Sequence, residues 1–221
     1  MTDKQYIQSL IAQGEHEHQD FKYQISDARK IARSISAFAN HGGGHLLIGV
    51  KDNGAIVGVS SDEEMYMIDQ AAQMYCRPPQ QVQFTLYRVE GKSVLKVDID
   101  ETAAKPVKAP DEHGHWRAYY RVADENVLAS ATHVRVMARD SRDDVPAVLS
   151  FSDREQVLLD YLQSHGGITL SGFSRLAHCS RSSAQQAVIN LCEMGVVALE
   201  YHDGHCLITT NNNINKSNTK T

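Results

Sequence analysis

The sequence predicts an α+β protein in two parts: a mixed-sheet domain with helices, then a small winged helix-turn-helix domain. Three observations carry this. Strand-like and helix-like periodicities alternate irregularly through about residue 142, with hairpin turns among them. A polar stretch ending in proline, Asp140-Ser141-Arg142-Asp143-Asp144-Val145-Pro146, then interrupts the pattern. After it come three short helical patterns and a hairpin. The expected division is a first domain over 1–142, a linker over 143–150, a second domain over 151–210 and a tail over 211–221. The tail is polar without apolar pattern and is expected to be disordered.

Taken in order, Tyr6, Ile7, Leu10 and Ile11 give residues 4–14 one apolar side, and Gly14 stops that helix. Phe21, Tyr23 and Ile25 alternate, so Gln19 to Ile25 is expected as a strand. Ser26 or Asp27 caps the next helix, where Ile31, Ile35 and Phe38 recur at helical spacing up to about Asn40. Asn40 or Gly42 ends it. Leu46 to Val50 is a short apolar run suited to a strand covered on both faces. Asp52-Asn53-Gly54 supplies turn chemistry, and Ala55 to Val59 is expected to return as a second strand.

Ser60 or Ser61 caps a helix carrying Met65, Met67, Ile68, Ala71, Ala72 and Met74, ended by Arg77-Pro78-Pro79. Val82 to Val89 and Ser93 to Ile99 alternate as strands about the turn Glu90-Gly91-Lys92. Ala103 to Pro110 reads as a loop and Trp116 to Val122 as a strand. Residues 130–142 are expected to form a helix closing the first domain. In the second domain, Ser152 with Glu155 is a capping box, Thr169 or Ser171 starts a short helix, and Ser180 caps a third that Gly195 ends. Val196 to Tyr201 and His205 to Thr209 flank the turn His202-Asp203-Gly204.

Composition narrows the function. The apolar fraction of 42% and charged fraction of 22% suit a soluble globular chain. No apolar run approaches the roughly 20 residues of a membrane span, and the first residues open no secretory signal. Cys76, Cys179, Cys192 and Cys206 form no C-x-x-C pair, which argues for a reducing cytoplasm and against disulfides or a cysteine zinc site. The net charge is −5; residues 1–150 carry 17 basic and 21 acidic side chains, and residues 151–221 carry 5 and 6. Any nucleic-acid contact must therefore use a local patch.

One set of motifs is more specific. Asp20-Phe21-Lys22, Ala37-Phe38-Ala39-Asn40, Gly42-Gly43, Leu46 to Ile48, Gly49-Val50 and Asp52-Asn53-Gly54 follow one another in order. Together they resemble the Schlafen-type AlbA-like DNA-binding domain over roughly residues 10–140, with Arg121 where that family usually has arginine. Asp20 departs from the usual glutamate, and His41 and Gly44 are additions. The resemblance implies a DNA-binding domain, joined in bacterial members to a C-terminal winged helix and described as a transcriptional regulator. Some mammalian Schlafen proteins are RNA endonucleases using three carboxylates, and the matching positions are Glu15, Asp20 and Asp52. Such a triad holds a divalent metal and activates water against a phosphodiester. The simpler reading makes Glu15 a surface acid, Asp20 a partner of Lys22 or Arg33, and Asp52 a turn residue.

The remaining constellations are less specific. Gly42-Gly43-Gly44 precedes a strand and is followed by no Gly-Lys-Ser/Thr, so a structural turn is favoured over an ATP-phosphate cradle. His16, His18, His41 and His45 lie near the acids, and His113 and His115 lie in a turn; surface or hydrogen-bonding roles are favoured over metal ligation. Lys22, Arg29, Lys30, Arg33, Lys105 and Lys108 are candidates for a phosphate-binding patch, and Arg121 is counted with them as a nucleic-acid-binding residue. Arg181, Ser182, Ser183, Gln185, Gln186 and Asn190 are expected outward on the third helix of the second domain, where Arg and Gln can read base edges. The leading expectation is a non-catalytic DNA-binding regulator, with RNA as the other nucleic acid, acting as a homodimer and needing no cofactor. The alternatives are a magnesium- or manganese-dependent endoribonuclease and an adaptor whose winged helix binds protein.

Overall fold

A computed structural model describes residues 1–140 and 152–211. The chain divides into two compact units, Met1–Ala129 and Ser130–Thr221.

In the first unit, strands β1 (Gln19–Lys22), β2 (Gly44–Ile48), β3 (Val82–Val89) and β4 (Lys92–Ile99) form one sheet in the order β1-β2-β4-β3. β1 and β2 are parallel, joined through helix α2 (Ala28–Asn40); the other neighbours are antiparallel. Side chains alternate along β2, so its two faces are sealed differently. Leu46 and Ile48 pack with α2 and α3 (Ser61–Met74), while Leu47 packs with Ile7 and Leu10 of α1 (Asp3–Ile11). The apolar run therefore does form a strand covered on both faces. Glu90 and Gly91, both at positive φ, make the two-residue turn between β3 and β4.

A second sheet holds β5 (Lys108–Pro110), β6 (Trp116–Val122) and β7 (Glu125–Leu128) in that order, all antiparallel. Helix α2 starts at Asp27, whose carboxylate accepts from Arg29 N–H at 2.8 Å, and every residue from Ser34 to Asn40 is buried. It packs on β5 and β6 as well as beneath the first sheet. Asn40 stitches this arrangement. Its Nδ2 donates to Val107 O at 2.9 Å and Tyr119 O at 2.8 Å, and its Oδ1 accepts from Val107 N–H at 2.7 Å.

Three expectations change here. Ala55 to Val59 forms no strand; Val50 and Ile56 share only an isolated bridge, and Val57 and Gly58 donate to Gly49 O. β4 takes the place beside β2 instead, in an antiparallel register running from Gly44 with Ile99 to Ile48 with Leu95. The loop ending at Pro110 contains β5, and β7 follows β6 after a tight turn at Ala123.

The second unit contains α4 (Ala131–Asp140), α5 (Asp153–Ser164), α6 (Leu170–Leu176), α7 (Arg181–Glu193), β8 (Val197–His202) and β9 (His205–Thr210). Leu158, Phe173, Val188, Leu191 and Ile208 are at its core. Glu155 Oε2 accepts from Ser152 N–H at 2.7 Å, as the capping box predicts, and Ser180 Oγ accepts from Ser183 N–H at 3.1 Å. Helix α4, expected to close the first domain, packs on α7, which puts the division at Ala129 rather than at residue 142. The expected linker over 143–150 and the tail beyond Asn211 lie outside the described residues. Among the described residues no helix is long and apolar enough to cross a membrane.

Candidate nucleic-acid interface

Glu15 and Asp20 meet at the entry to β1. Glu15 Oε1 accepts from Phe21 N–H at 2.8 Å, and the two carboxyl groups hydrogen-bond to each other. Burial first, and then that bond to Asp20, push Glu15 up to about 7, so Glu15 still holds a proton in part near neutrality. Asp20 is buried and ion-paired to Lys22 Nζ at 2.7 Å, with Arg121 NH1 at 3.9 Å. Asp52 does not join them. It is exposed in the turn after β2, and Asp20 pairs in register with Leu46, six residues earlier in the chain. No group of three His, Cys, Asp or Glu side chains lies within metal-binding reach among the described residues.

Arg121 is 1% exposed. Its guanidinium donates to Asn126 Oδ1 at 3.0 Å and His16 O at 3.1 Å and lies over the Phe38 ring at 4.9 Å. A residue held inside in this way ties β6 to β1's approach and is not presented to a phosphate. The glycine run is structural. Gly42 and Gly43 take φ near +70, Gly43 N–H closes on Phe38 O at 2.9 Å, and a Cβ on Gly44 would lie 2.5 Å from the Phe38 ring. His18 Nδ1 bonds Gly43 O at 2.8 Å and His45 Nε2 bonds Gln19 Oε1 at 2.8 Å. Burial, with Lys96 nearby, pulls His45 down to about 4, so it is neutral near pH 7.

The predicted basic patch separates into paired and presented residues. Lys22 pairs with Asp20, and Lys105 with Glu101. Arg33 donates to Pro110 O at 3.0 Å and approaches Glu112 at 3.8 Å. Arg29 and Lys30 are exposed on α2, with Arg29 over the Tyr75 ring at 5.6 Å. Lys108 lies beside a residue that the sequence did not single out for binding. Arg77 and Lys108 exchange both backbone hydrogen bonds, at 2.8 and 2.7 Å, so their side chains share a face. Pro110 pairs with Trp116 in the β5–β6 register, which puts Trp116 on that same face, two pairs along from Lys108. The Arg77 guanidinium sits 3.7 Å from the centre of the Trp116 ring. The result is a surface of Arg77, Lys108 and Trp116. Such a surface offers positive charge for phosphate and an aromatic plane for a base. No periodicity marks it, because Arg77 and Trp116 meet only through the pairing of distant segments; the single tryptophan beside alternating basic residues was the available signal.

On α7 the six predicted residues face different ways. Arg181 NH1 donates to Ser171 Oγ at 2.9 Å. Gln185 bonds Thr132 Oγ1 at 3.0 Å and Arg135 at 3.2 Å, both on α4. Asn190 donates to Glu155 at 3.2 Å and accepts from Gln186 at 2.9 Å, while Ser183 bonds Ser180. Ser182 and Gln186 are exposed, with Glu193 on the same side.

Two solved structures are similar to this chain. One is the DIP2311 protein from Corynebacterium diphtheriae, at 19% identity and a TM-score of 0.44, covering 72% of this chain and 39% of its own. The other is the N-terminal domain of a protein from Nitrosomonas europaea described as related to the ATP-dependent DNA helicase RecG, at 22% identity and a TM-score of 0.42, covering 60% of this chain and 97% of its own. The chain thus spans about two fifths of the first. No curated protein matches it. The family profile described as "Schlafen, AlbA_2" matches residues 15–130, the segment that holds the carboxylate pair, the glycine turn and the Arg77–Trp116 surface. That segment is more than half of the 221 residues, and the chain belongs to the Schlafen, AlbA_2 family.

Proposed function

We propose that the chain is a non-catalytic DNA-binding protein that acts as a regulator, with RNA as the other nucleic acid its first unit can hold. The observation that carries this is the Arg77–Lys108–Trp116 surface, a cationic and aromatic face in a unit whose overall charge is acidic. Family membership points the same way. Phosphate contacts from Arg77 and Lys108 give affinity without sequence preference, and Trp116 stacks on a base. The carboxylates support the non-catalytic reading, because Asp20 is occupied by Lys22 and Asp52 lies apart from Glu15 and Asp20. Trp116 is the only tryptophan, so its fluorescence reports the surface directly. Titration with a single strand of about 12 nucleotides is expected to quench it; an unchanged emission at saturating strand would count against this reading.

In the same proposal the second unit is a winged helix, a reading supported by the order of α5, α6 and α7 ahead of the β8–β9 hairpin. In the regulator reading it adds contacts to DNA, and the chain pairs as a homodimer to meet two half-sites. One observation favours the adaptor role for this unit instead. Helix α4 lies on α7 and engages Gln185, the exposed Arg181 is bonded to Ser171, and the remaining exposed α7 side chains among the described residues are Ser182, Gln186 and Glu193. Selection of sites from random duplexes separates the two: an enriched sequence lost on Gln186→Ala supports reading by α7, and no enrichment supports the adaptor.

A further inference from the structure

The second unit contains a cavity of about 380 Å³ between α4, the start of α6, α7 and the β8–β9 hairpin. Its size falls within the range of small-molecule sites. The walls divide by chemistry. Leu170, Val188, Leu199 and Ile208 supply an apolar interior, and Val188 and Ile208 are fully buried. Arg181 and Ser171 stand together on the wall, joined by a 2.9 Å hydrogen bond from Arg181 NH1. The rest of the Arg181 guanidinium has no protein partner among the described residues. Among the described residues no carboxylate lines the cavity, and its ionisable groups are Arg181, His205 and Cys206. Burial pushes the Cys206 thiol up, against a hydrogen bond to Ser130, so it stays protonated and the site is not one for thiolate chemistry.

We infer that this cavity binds a small organic anion, an apolar body with a carboxylate or sulfonate head, seated with its head on Arg181 and Ser171. Three features favour that class. Among the described residues the only permanent charge on the walls is positive, guanidinium recognises planar oxyanions in a bidentate way, and the interior has room for a ring or short alkyl chain. The cavity is closed on one side by Gln185, which bridges Thr132 and Arg135 of α4. A ligand seated there contacts both α4 and α7. This inference does not depend on nucleic-acid binding, and its test uses none.

The test is titration of the full chain with 8-anilinonaphthalene-1-sulfonate, followed by displacement with hexanoate and with hexanol. Arg181→Gln and Ser171→Trp are measured beside the native chain; both positions are exposed, and circular dichroism confirms that each variant is folded. The expected result is saturable binding at one site per chain, displaced by hexanoate and about tenfold less well by hexanol. Arg181→Gln should weaken binding about tenfold or more, and Ser171→Trp should abolish it by filling the mouth. Absence of binding at millimolar probe, equal displacement by acid and alcohol, or binding unchanged in both variants would overturn the inference.

Discussion

Replacing Asn40 by Ala should destabilise the first unit more than any exposed substitution in it. Three hydrogen bonds are lost, to Val107 O, Tyr119 O and Val107 N–H, at a residue only 4% exposed. Each such bond is worth roughly 0.5–1.5 kcal/mol net, and a stranded buried group costs roughly 1–3 kcal/mol. The partners here are backbone groups that cannot turn to water without moving β5 or β6. The expected loss is roughly 3–5 kcal/mol, a large share of a typical domain stability of roughly 5–15 kcal/mol. It corresponds to a fall in Tm of roughly 10 °C. Urea unfolding followed by Trp116 emission measures it, because Trp116 lies in β6 and no other tryptophan contributes. Asn40→Asp refines the test. Its carboxylate keeps the acceptor for Val107 N–H but turns an oxygen toward two carbonyls, so it should be worse near pH 8 than near pH 5. A loss below about 1 kcal/mol for Asn40→Ala would refute the stitching role.

Other outcomes follow from the same geometry. Glu15 is held at about 7 in the fold against an ordinary 4.5, so the folded state keeps the extra proton over that interval. Native stability should therefore decline as pH rises from 4.5 through 7, and Glu15→Gln should flatten this decline; parallel pH profiles would contradict it. Gly44→Ala puts a Cβ 2.5 Å from the Phe38 ring and 2.7 Å from His18 O, and should cost roughly 1–3 kcal/mol in the same urea assay. A neutral effect there would mean that α2 can shift away. Light scattering at micromolar concentration should give a dimer mass for the proposed regulator, and a monomer with and without DNA would remove that part of the reading.

Much of the fold was legible because local chemistry and tertiary need agreed. β3 runs from Val82 to Val89 as its alternation predicts, and Asp27, Thr169 and Ser180 each cap the helix they were expected to cap. The misread elements were settled by partners far along the chain. Ala55 to Val59 has strand composition, yet β2's free edge goes to β4. β5 and β7 are three and four residues long, too short for alternation to declare them. α4 has an apolar face that suits either unit, and only its packing on α7 assigns it. At the site, the Asp20–Lys22 pairing was legible from its i, i+2 spacing on a strand. The Arg77–Trp116 stack was not, since it joins the end of α3's loop to β6. Arg121, counted among the nucleic-acid-binding residues, is buried instead, and burial cannot be read from one residue; its cover comes from Phe38, Asn126 and the His16 carbonyl.

In the proposed function, Arg77 and Lys108 hold nucleic-acid phosphate. Fluorescence anisotropy of labelled single- and double-stranded DNA, repeated over a salt series with the native chain and the Arg77→Ala, Lys108→Ala double variant, tests it most directly. The variant should bind more weakly by a similar factor on every sequence. Its plot of log K against log salt should be shallower by about two, one for each phosphate contact removed. A variant with the native slope, or a native chain that binds no DNA at low salt, would contradict it.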